Sequence, residues 1–281
     1  MYGRERVRAG ELRDRYPHAA EVLGLYLALV EVWESVGDDV PADGALEWAE
    51  ANVLPRVLAA TAAGPRPLAD AITAAGAAAT GTGLLDAWAA DEDLTPVERY
   101  LARATMHVVP PKAWTARRKA PGPARDDGPG PGSARADRPG PGSGGRCAAC
   151  GGAAQLSYRV ASEDPLVSGR RMLACAKCPH EWNFSATTCP NCGETGKRTV
   201  HAEAHAATEA PHVGRAAPDD RSVFPHLRAE SCQTCRSYLI DVDLGRDARA
   251  VPRVDELAAV PIDLHLAGLG YTKITPNLMG F

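Results

Sequence analysis

Hydrophobic residues in the first part of the chain follow the spacing of amphipathic helices. Over residues 16–36 the apolar side chains recur at steps of three and four, which places them on one face of a helix. A second helical pattern over residues 46–58 contains Pro55. We expect an interruption there, because proline lacks an amide hydrogen and clashes with the preceding turn. The Ala-rich residues 68–90 form a third helical segment.

A sharper helix start lies at Thr95-Pro96-Val97-Glu98. The Thr95 hydroxyl can accept from an amide of the first turn, and Glu98 can reach back to the Thr95 amide. Proline suits the first helical position, where its missing amide hydrogen costs nothing. We therefore predict a helix from here to about His107 and an all-α bundle of four or five helices over residues 1–108.

The pattern changes after residue 108. Residues 109–146 contain eight prolines and eight glycines, and the sequence Pro-Gly-Pro-Gly-Ser occurs twice among them. Such a segment cannot bury enough apolar surface to offset the entropy of ordering it. We therefore predict a disordered Pro/Gly-rich linker over residues 109–146.

Composition and charge exclude several classes of function. Residues 147–235 carry nine Lys and Arg against nine Asp and Glu, so this region lacks the clustered positive charge that nucleic-acid binding favours. The first residues have no apolar core of a signal peptide. The longest strongly apolar run, residues 22–30, is far shorter than the ~20 residues of a membrane-spanning helix. We expect neither a nucleic-acid nor a membrane partner.

All eight cysteines occur as Cys-x-x-Cys pairs. Two thiolates at this spacing can bind one ion from a tight turn, and two such turns complete a tetrahedron. Four pairs therefore predict two four-thiolate sites, and both iron and zinc suit these ligands. A closed site has no position for substrate or water, so we predict that the protein is not an enzyme. The predicted ligands are Cys147, Cys150, Cys175, Cys178, Cys189, Cys192, Cys232 and Cys235.

The order of the pairs favours binding of one ion by the first and second pairs and of another by the third and fourth. The first two pairs then enclose 24 residues, in which apolar residues alternate as in a half-buried strand, and the last two enclose 39. Interleaved pairing is the alternative. Gly151 and Gly193 each follow a pair, where the turn often needs a positive φ. A disulfide framework fits poorly, because it is typical of short secreted chains.

The surroundings of the four pairs are more specific than their spacing. The motifs are Cys147-Ala-Ala-Cys150-Gly151, Cys175-Ala-Lys-Cys178-Pro-His-Glu181-Trp182, Cys189-Pro-Asn-Cys192 and Glu230-Ser-Cys232-Gln-Thr-Cys235-Arg-Ser-Tyr238-Leu239. In this order they resemble the FdhE family, the formate dehydrogenase accessory proteins. The resemblance implies a cytoplasmic protein that is required for active formate dehydrogenase and contacts its catalytic subunit.

The residues and the resemblance together predict an α+β multidomain protein. An N-terminal all-α helical bundle (residues 1–108) and the linker (109–146) precede two tandem modules of the rubredoxin-like or zinc-ribbon type. The first module spans residues 147–188, and the second, with the C-terminal tail, spans residues 189–281.

Four residues other than cysteine stand out in the motifs. Trp182 and Tyr238 suit packing beneath the cysteine turns, Glu181 and Glu230 suit pairing with Arg or Lys, and partner contact is the alternative for each. Two other functions remain open for the chain: a zinc-ribbon nucleic-acid-binding protein and a rubredoxin-like electron carrier.

Overall fold

The structure, a computed structural model, combines helices with a mixed β-sheet, as the predicted α+β class requires. The described residues fall into two compact units, one that contains the helices up to residue 115 together with residues 278–280, and one from residue 145 to residue 277. The described ranges are 2–37, 39–76, 83–115, 145–160, 169–202 and 223–280.

The first unit contains more and shorter helices than the hydrophobic pattern predicts. The pattern over residues 46–58 divides at Val53, and Pro55 lies in the first turn of the helix that follows, so the predicted interruption is confirmed. The α-helices described here are α1 (Gly3–Arg15), α2 (Ala20–Val36), α3 (Ala45–Asn52), α4 (Leu54–Ala62), α5 (Arg66–Ala75), α6 (Leu84–Ala89), α7 (Pro96–Met106) and α8 (Lys112–Thr115), with a 3-10 turn at Pro17–Ala19.

The predicted start of α7 is confirmed. The Glu98 amide donates to the Thr95 hydroxyl at 3.3 Å, and the Thr95 amide donates to the Glu98 carboxylate at 2.8 Å. These hydrogen bonds lower the pKa of Glu98. A contact between helices fixes α7 against α2, because the buried Trp33 ring donates from Nε1 to the Ala104 carbonyl at 2.8 Å.

The second unit is built on one seven-stranded sheet. In it the strands lie in the order β3-β2-β1-β6-β5-β4, and β7 pairs with β6. Both β1–β6 and β6–β7 are parallel, whereas the other neighbours are antiparallel. The strands are β1 (Ala154–Val160), β2 (Arg170–Cys175), β3 (Glu181–Asn183), β4 (Arg198–Ala202), β5 (Leu227–Cys232), β6 (Ser237–Asp243) and β7 (Thr272–Lys273).

Two halves of this sheet have the same order of elements. In the first half-sheet (β1–β3) and the second half-sheet (β4–β6), a cysteine pair precedes the first strand and another separates the second strand from the third. Parallel pairing of β1 with β6 joins the halves, and the Ser157 hydroxyl donates to Asp241 across this junction at 2.5 Å. Both cysteine groups therefore lie at the same end of the sheet.

The prediction of two tandem modules is not confirmed as an arrangement of domains, because the strands of both form one continuous sheet. The pattern of each half predicts its own strands but contains no signal for the β1–β6 junction. The boundaries of residues 1–108, 109–146, 147–188 and 189–281 stay predictions.

The chain after β6 packs through buried polar contacts. The elements are α9 (Pro252–Asp255), a 3-10 turn (Glu256–Ala258) and α10 (Val260–Gly268). Lys273 Nζ lies 2.9 Å from Glu256 and 3.1 Å from Asp263, and the Tyr238 hydroxyl donates to Asp263 at 3.0 Å. Burial raises the pKa of Asp263, while the Lys273 ammonium opposes that shift. The tail is thereby fixed to β6.

Most of the predicted linker, residues 116–144, lies outside the described residues. Within the described part of the linker range, α8 forms a short helix in which the Trp114 side chain is buried. Among the residues that the structure describes, no helix combines the length and the apolar composition needed to cross a bilayer.

Candidate metal centres

The first cysteine group joins the turn before β1 to the turn between β2 and β3. Cys147 and Cys178 have their sulfurs 3.6 Å apart, and Cys150 and Cys175 have theirs 3.4 Å apart. All four sulfurs lie within 4.8 Å of one another, and all four residues are buried. This group could hold one metal ion away from bulk water.

The second cysteine group joins the turn before β4 to the turn between β5 and β6. The sulfur separations are 3.8 Å for Cys189 and Cys235 and 3.7 Å for Cys192 and Cys232. Cys192 and Cys235 are half-buried, unlike any member of the first group. The second group is therefore less completely shielded from solvent than the first.

These separations fit tetrahedral coordination. Sulfurs bound at ~2.3 Å to one ion stand about 3.8 Å apart at the corners of a tetrahedron. A disulfide bond would instead require about 2.05 Å, and all eight cysteines are free. The structure thus brings together the first and second pairs and, separately, the third and fourth, so the favoured pairing of the sequence is the one observed.

The backbone of the turns suits bound thiolates. Gly151 and Gly193 have φ of 66° and 80°, as predicted for the residues that follow a cysteine pair. Backbone amides also approach the sulfurs: the Gly152 amide lies 3.4 Å from the Cys150 sulfur, and the Lys177 amide lies 3.3 Å from the Cys175 sulfur. Such amides stabilise negative charge on sulfur.

Gly152 is a site residue that the sequence analysis missed. A Cβ at this position would stand 3.0 Å from the Cys175 sulfur and 3.2 Å from the Cys150 sulfur. A larger residue would therefore press on two ligands of the first group. The sequence does contain a signal for this residue, because two glycines follow the first cysteine pair. Only Gly151 has the positive φ that favours glycine, so the second glycine needs another explanation.

The four sulfurs of each group lie so close together that thiolates would repel one another. All four can therefore lose their protons only when a cation is bound. Sharing of a proton between Cys150 and Cys175 raises the pKa of Cys150 and lowers that of Cys175. In the second group, burial raises the pKa of Cys192 to about 11. A divalent ion would offset two of the four thiolate charges at each group and thereby favour release of these protons.

Arg253 on α9 supports the first group without being a ligand. Its Nη2 donates to the carbonyl of Cys175 at 2.9 Å and to that of Cys178 at 3.2 Å, and its Nη1 donates to the Gln155 side chain at 3.3 Å. One guanidinium therefore fixes both cysteines of the second pair through their backbones. No sequence motif marks this arginine, which lies 75 residues beyond Cys178.

The comparisons with known proteins converge on one family. Residues 189–279, which include the second cysteine group and the tail, match the family described as FdhE, C-terminal domain. The second half of the chain is similar to FdhE proteins. The resemblance read from the motifs is confirmed.

Similar proteins include the FdhE homologs of Pseudomonas putida and Aquifex aeolicus. The first is 34% identical over 138 residues, which cover 48% of this chain and 38% of that protein. The second is 27% identical over 135 residues, which cover 48% of this chain and 41% of that protein. The matched region is thus about two fifths of each FdhE relative.

A solved structure extends the similarity of fold. The crystal structure of the FdhE protein from Pseudomonas aeruginosa superposes with a TM-score of 0.59 at 20% identity. The comparison covers 99% of this chain and 95% of that chain. This likeness shows the fold and, at this identity, nothing about activity.

Two of the FdhE motif residues outside the cysteines lie at the edge strand β3. Glu181 is exposed and accepts a hydrogen bond from the Tyr158 hydroxyl. Trp182 is half-buried and packs against a core cluster that contains Leu173 and Leu239. Trp182 thus has packing partners within the protein, and Glu181 keeps an exposed surface.

The other two FdhE motif residues are buried. Tyr238 is 4% exposed and bonds to Asp263, as described above. Glu230 is 4% exposed and contacts three arginines. Their observed partners lie within the protein, and a direct role in partner contact stays a prediction for all four motif residues.

We expect Arg253→Ala to weaken metal binding at the first cysteine group about 10-fold or more, because residues that orient ligands typically contribute this much to affinity. The second group should keep its ion. The measurement is competition with a coloured chelator, which reports the ions removed per chain at each chelator concentration.

Arg249→Ala is the matched control for this prediction. Arg249 lies four residues before Arg253, and its side chain is 72% exposed. The control should release both ions as the unaltered protein does. Equal release from Arg253→Ala and the unaltered protein would contradict a supporting role for Arg253.

Proposed function

We propose that this protein is an accessory protein for the maturation of formate dehydrogenase and that it binds the catalytic subunit of that enzyme. The observation that carries the proposal is the match of residues 189–279 to the FdhE C-terminal domain. It includes four of the eight cysteines, and the same ordered motifs continue back to Cys147. The contact with formate dehydrogenase comes from the family resemblance.

Each cysteine group holds one ion, iron or zinc, in this proposal. An ion with four thiolates stabilises the turns that carry them, because it crosslinks segments far apart in the chain. The residues around it have separate tasks: turn amides approach the sulfurs, and Arg253 holds two cysteine carbonyls. Closed coordination offers no position for substrate, so we propose assistance to another enzyme without turnover.

Deletion of the gene tests this function. Formate oxidation should disappear while the formate dehydrogenase polypeptide, followed by immunoblot, remains present. The unaltered gene should restore activity, and the Cys175→Ser variant should not. Normal formate oxidation in the deletion strain would reject the accessory function.

Contact with the catalytic subunit needs a separate test. The tagged full-length protein, isolated with both ions, should co-purify the catalytic subunit from an extract that contains formate dehydrogenase. Failure of the pair to associate, when both are purified and mixed at micromolar concentration, would reject direct binding even if the deletion abolishes activity.

The partial exposure of the second cysteine group favours an alternative function, that of a rubredoxin-like electron carrier. Half-buried Cys192 and Cys235 would allow an electron donor to approach an iron ion closely. Protein isolated from its native host should then contain iron that is reduced and reoxidised reversibly. A colourless protein that contains two zinc ions would eliminate this candidate and leave the accessory function intact.

A further inference from the structure

One face of the sheet carries a group of charged side chains that the metal centres do not use. Arg159 lies opposite Arg171 in the β1–β2 register, and Arg228 lies opposite Asp241 in the β5–β6 register. Paired residues share a face of a sheet. We call the following set the arginine cluster: Arg159, Arg171, Arg198 and Arg228 with Glu230 and Asp241, which come from five neighbouring strands.

Glu230 is the centre of the arginine cluster. Arg159 Nη2 donates to its Oε1 at 2.6 Å, and Arg198 Nη2 donates to its Oε2. Arg171 Nη2 lies 2.7 Å from the same Oε2. One carboxylate thus contacts three guanidinium groups.

Asp241 is the second carboxylate of the arginine cluster. Its Oδ2 accepts from Arg159 Nε at 3.0 Å and from Arg228 Nε at 2.7 Å, and its Oδ1 accepts from the Ser157 hydroxyl. Arg159 therefore bridges the two carboxylates. The six charged groups form one connected network.

Among the residues that the structure describes, the positive charges of this network exceed the negative ones by two. Four guanidiniums face two carboxylates, and the next acid on the same face of β6, Asp243, is engaged by the Gly245 amide and by Arg246. The side chains of Glu230 and Asp241 are 2% and 0% exposed. Uncompensated positive charge in so buried a place is costly, and a bound anion would relieve it.

The surroundings of Arg171 satisfy only part of its guanidinium. Its Nη1 donates to the carbonyls of Ser185 at 2.9 Å and Thr188 at 3.1 Å. Its side chain is fully buried, and in the described part of the protein its Nε has no hydrogen-bond acceptor. Its Nη2 contacts Glu230 without hydrogen-bond alignment. Burial lowers the pKa of Arg171, the Glu230 carboxylate opposes this shift, and the Arg198 guanidinium adds to it.

The other arginines give a ligand access from solvent. Their side chains are 19% exposed for Arg159, 13% for Arg198 and 24% for Arg228. Val200, opposite Glu230 in the β4–β5 register, is 55% exposed, so this part of the face reaches the surface. An anion could therefore approach the outer edges of three guanidiniums.

We propose that the arginine cluster is a binding site for a dianionic oxyanion, either free phosphate or the phosphate group of a monoester. Two negative charges would balance the excess, and the planar guanidinium presents paired N–H donors that match phosphate oxygens. Restricted exposure of the arginines favours a compact ligand over the extended contact of an acidic protein segment. The site uses none of the cysteine ligands, although Glu230 lies two residues before Cys232 in the sequence.

Calorimetric titration of the full-length, metal-loaded protein tests the proposal. Inorganic phosphate and phenyl phosphate are titrated at constant ionic strength, with chloride as the monovalent control and hexaglutamate as the acidic peptide. Phosphate should bind at one site per chain, and chloride should give no saturable binding. Tighter binding of phenyl phosphate would identify a monoester as the source of the ligand, whereas tighter binding of free phosphate would identify the inorganic ion.

Arg228→Gln should weaken phosphate binding about 10-fold, since a hydrogen bond to a charged group typically contributes at least that factor. Asp241 keeps Arg159 and Ser157 as partners in this variant. Arg249→Gln, which removes a 72% exposed arginine outside the arginine cluster, is the matched control and should bind phosphate normally. If Arg228→Gln does not fold, Arg228→Lys retains the charge, removes the paired donors and should still weaken binding.

Three results would overturn the proposal. They are saturable binding of hexaglutamate without binding of either phosphate compound, equal binding of phosphate by the unaltered protein and the Arg228 variants, and absence of saturable phosphate binding by the unaltered protein.

Discussion

Cys175→Ser is expected to reduce the bound metal from two ions per chain to one. The first cysteine group would keep three thiolates, which close the coordination poorly, and structural zinc typically contributes on the order of 10 kcal/mol of apparent binding free energy. Because Cys175 ends β2, loss of its ion should also loosen the turn between β2 and β3. Metal content by atomic emission and hydrogen exchange of the β2 amides measure the two effects.

Double substitutions test which cysteines bind the same ion. Cys147→Ser with Cys175→Ser removes two ligands of one group and should leave one ion. Cys175→Ser with Cys189→Ser removes one ligand from each group and should leave none. If the first double variant loses both ions, or the second keeps one, the observed grouping of the cysteines is not the grouping that binds metal.

Glu230→Ala is expected to lower the free energy of unfolding of the sheet unit by about 3–5 kcal/mol, the usual cost of removing one partner from a buried ion pair. Three arginines contact this carboxylate, and the side chain is 2% exposed, so water cannot easily replace it. Urea denaturation in phosphate-free buffer, followed by tryptophan fluorescence and far-UV circular dichroism, measures the change.

Two further substitutions separate charge from packing at Glu230. Glu230→Gln keeps the volume and loses the charge, so it should account for most of the effect. Glu181→Ala removes an exposed carboxylate and one hydrogen bond, that from the Tyr158 hydroxyl, and should lower the unfolding free energy by only about 1 kcal/mol. A loss below about 1 kcal/mol for Glu230→Ala would show that the arginines find other compensation.

Local signals in the sequence predicted the parts of the structure that depend on neighbours along the chain. The Thr95–Glu98 capping box fixes the start of α7 because both hydrogen bonds lie within four residues. Cysteine spacing predicted the two groups because each turn positions its own pair of sulfurs. Pro55 marked the division between α3 and α4 for the same kind of local reason.

Distant contacts escaped the sequence analysis. Glu230 precedes a cysteine pair and could have paired with any nearby cation, but its partners come from β1, β2 and β4. Arg253 reaches Cys175 from 78 residues away, and no periodicity or motif announces that contact. Parallel pairing of β1 with β6 depends on interactions such as that of Ser157 with Asp241, 84 residues apart.

The β1–β6 junction has a consequence for the newly made chain. β1 can pair with β2 soon after synthesis, but its other edge stays open until β6 has left the ribosome, more than 70 residues later. Residues 156–158 of β1 are buried in the folded protein. While the second edge of β1 has no partner, this strand is an aggregation hazard. Each cysteine group is complete within its own half, so the first ion can bind while the second half is still being translated. Early capture of that ion would hold β1 and β2 together during the interval when β1 is most exposed to wrong partners.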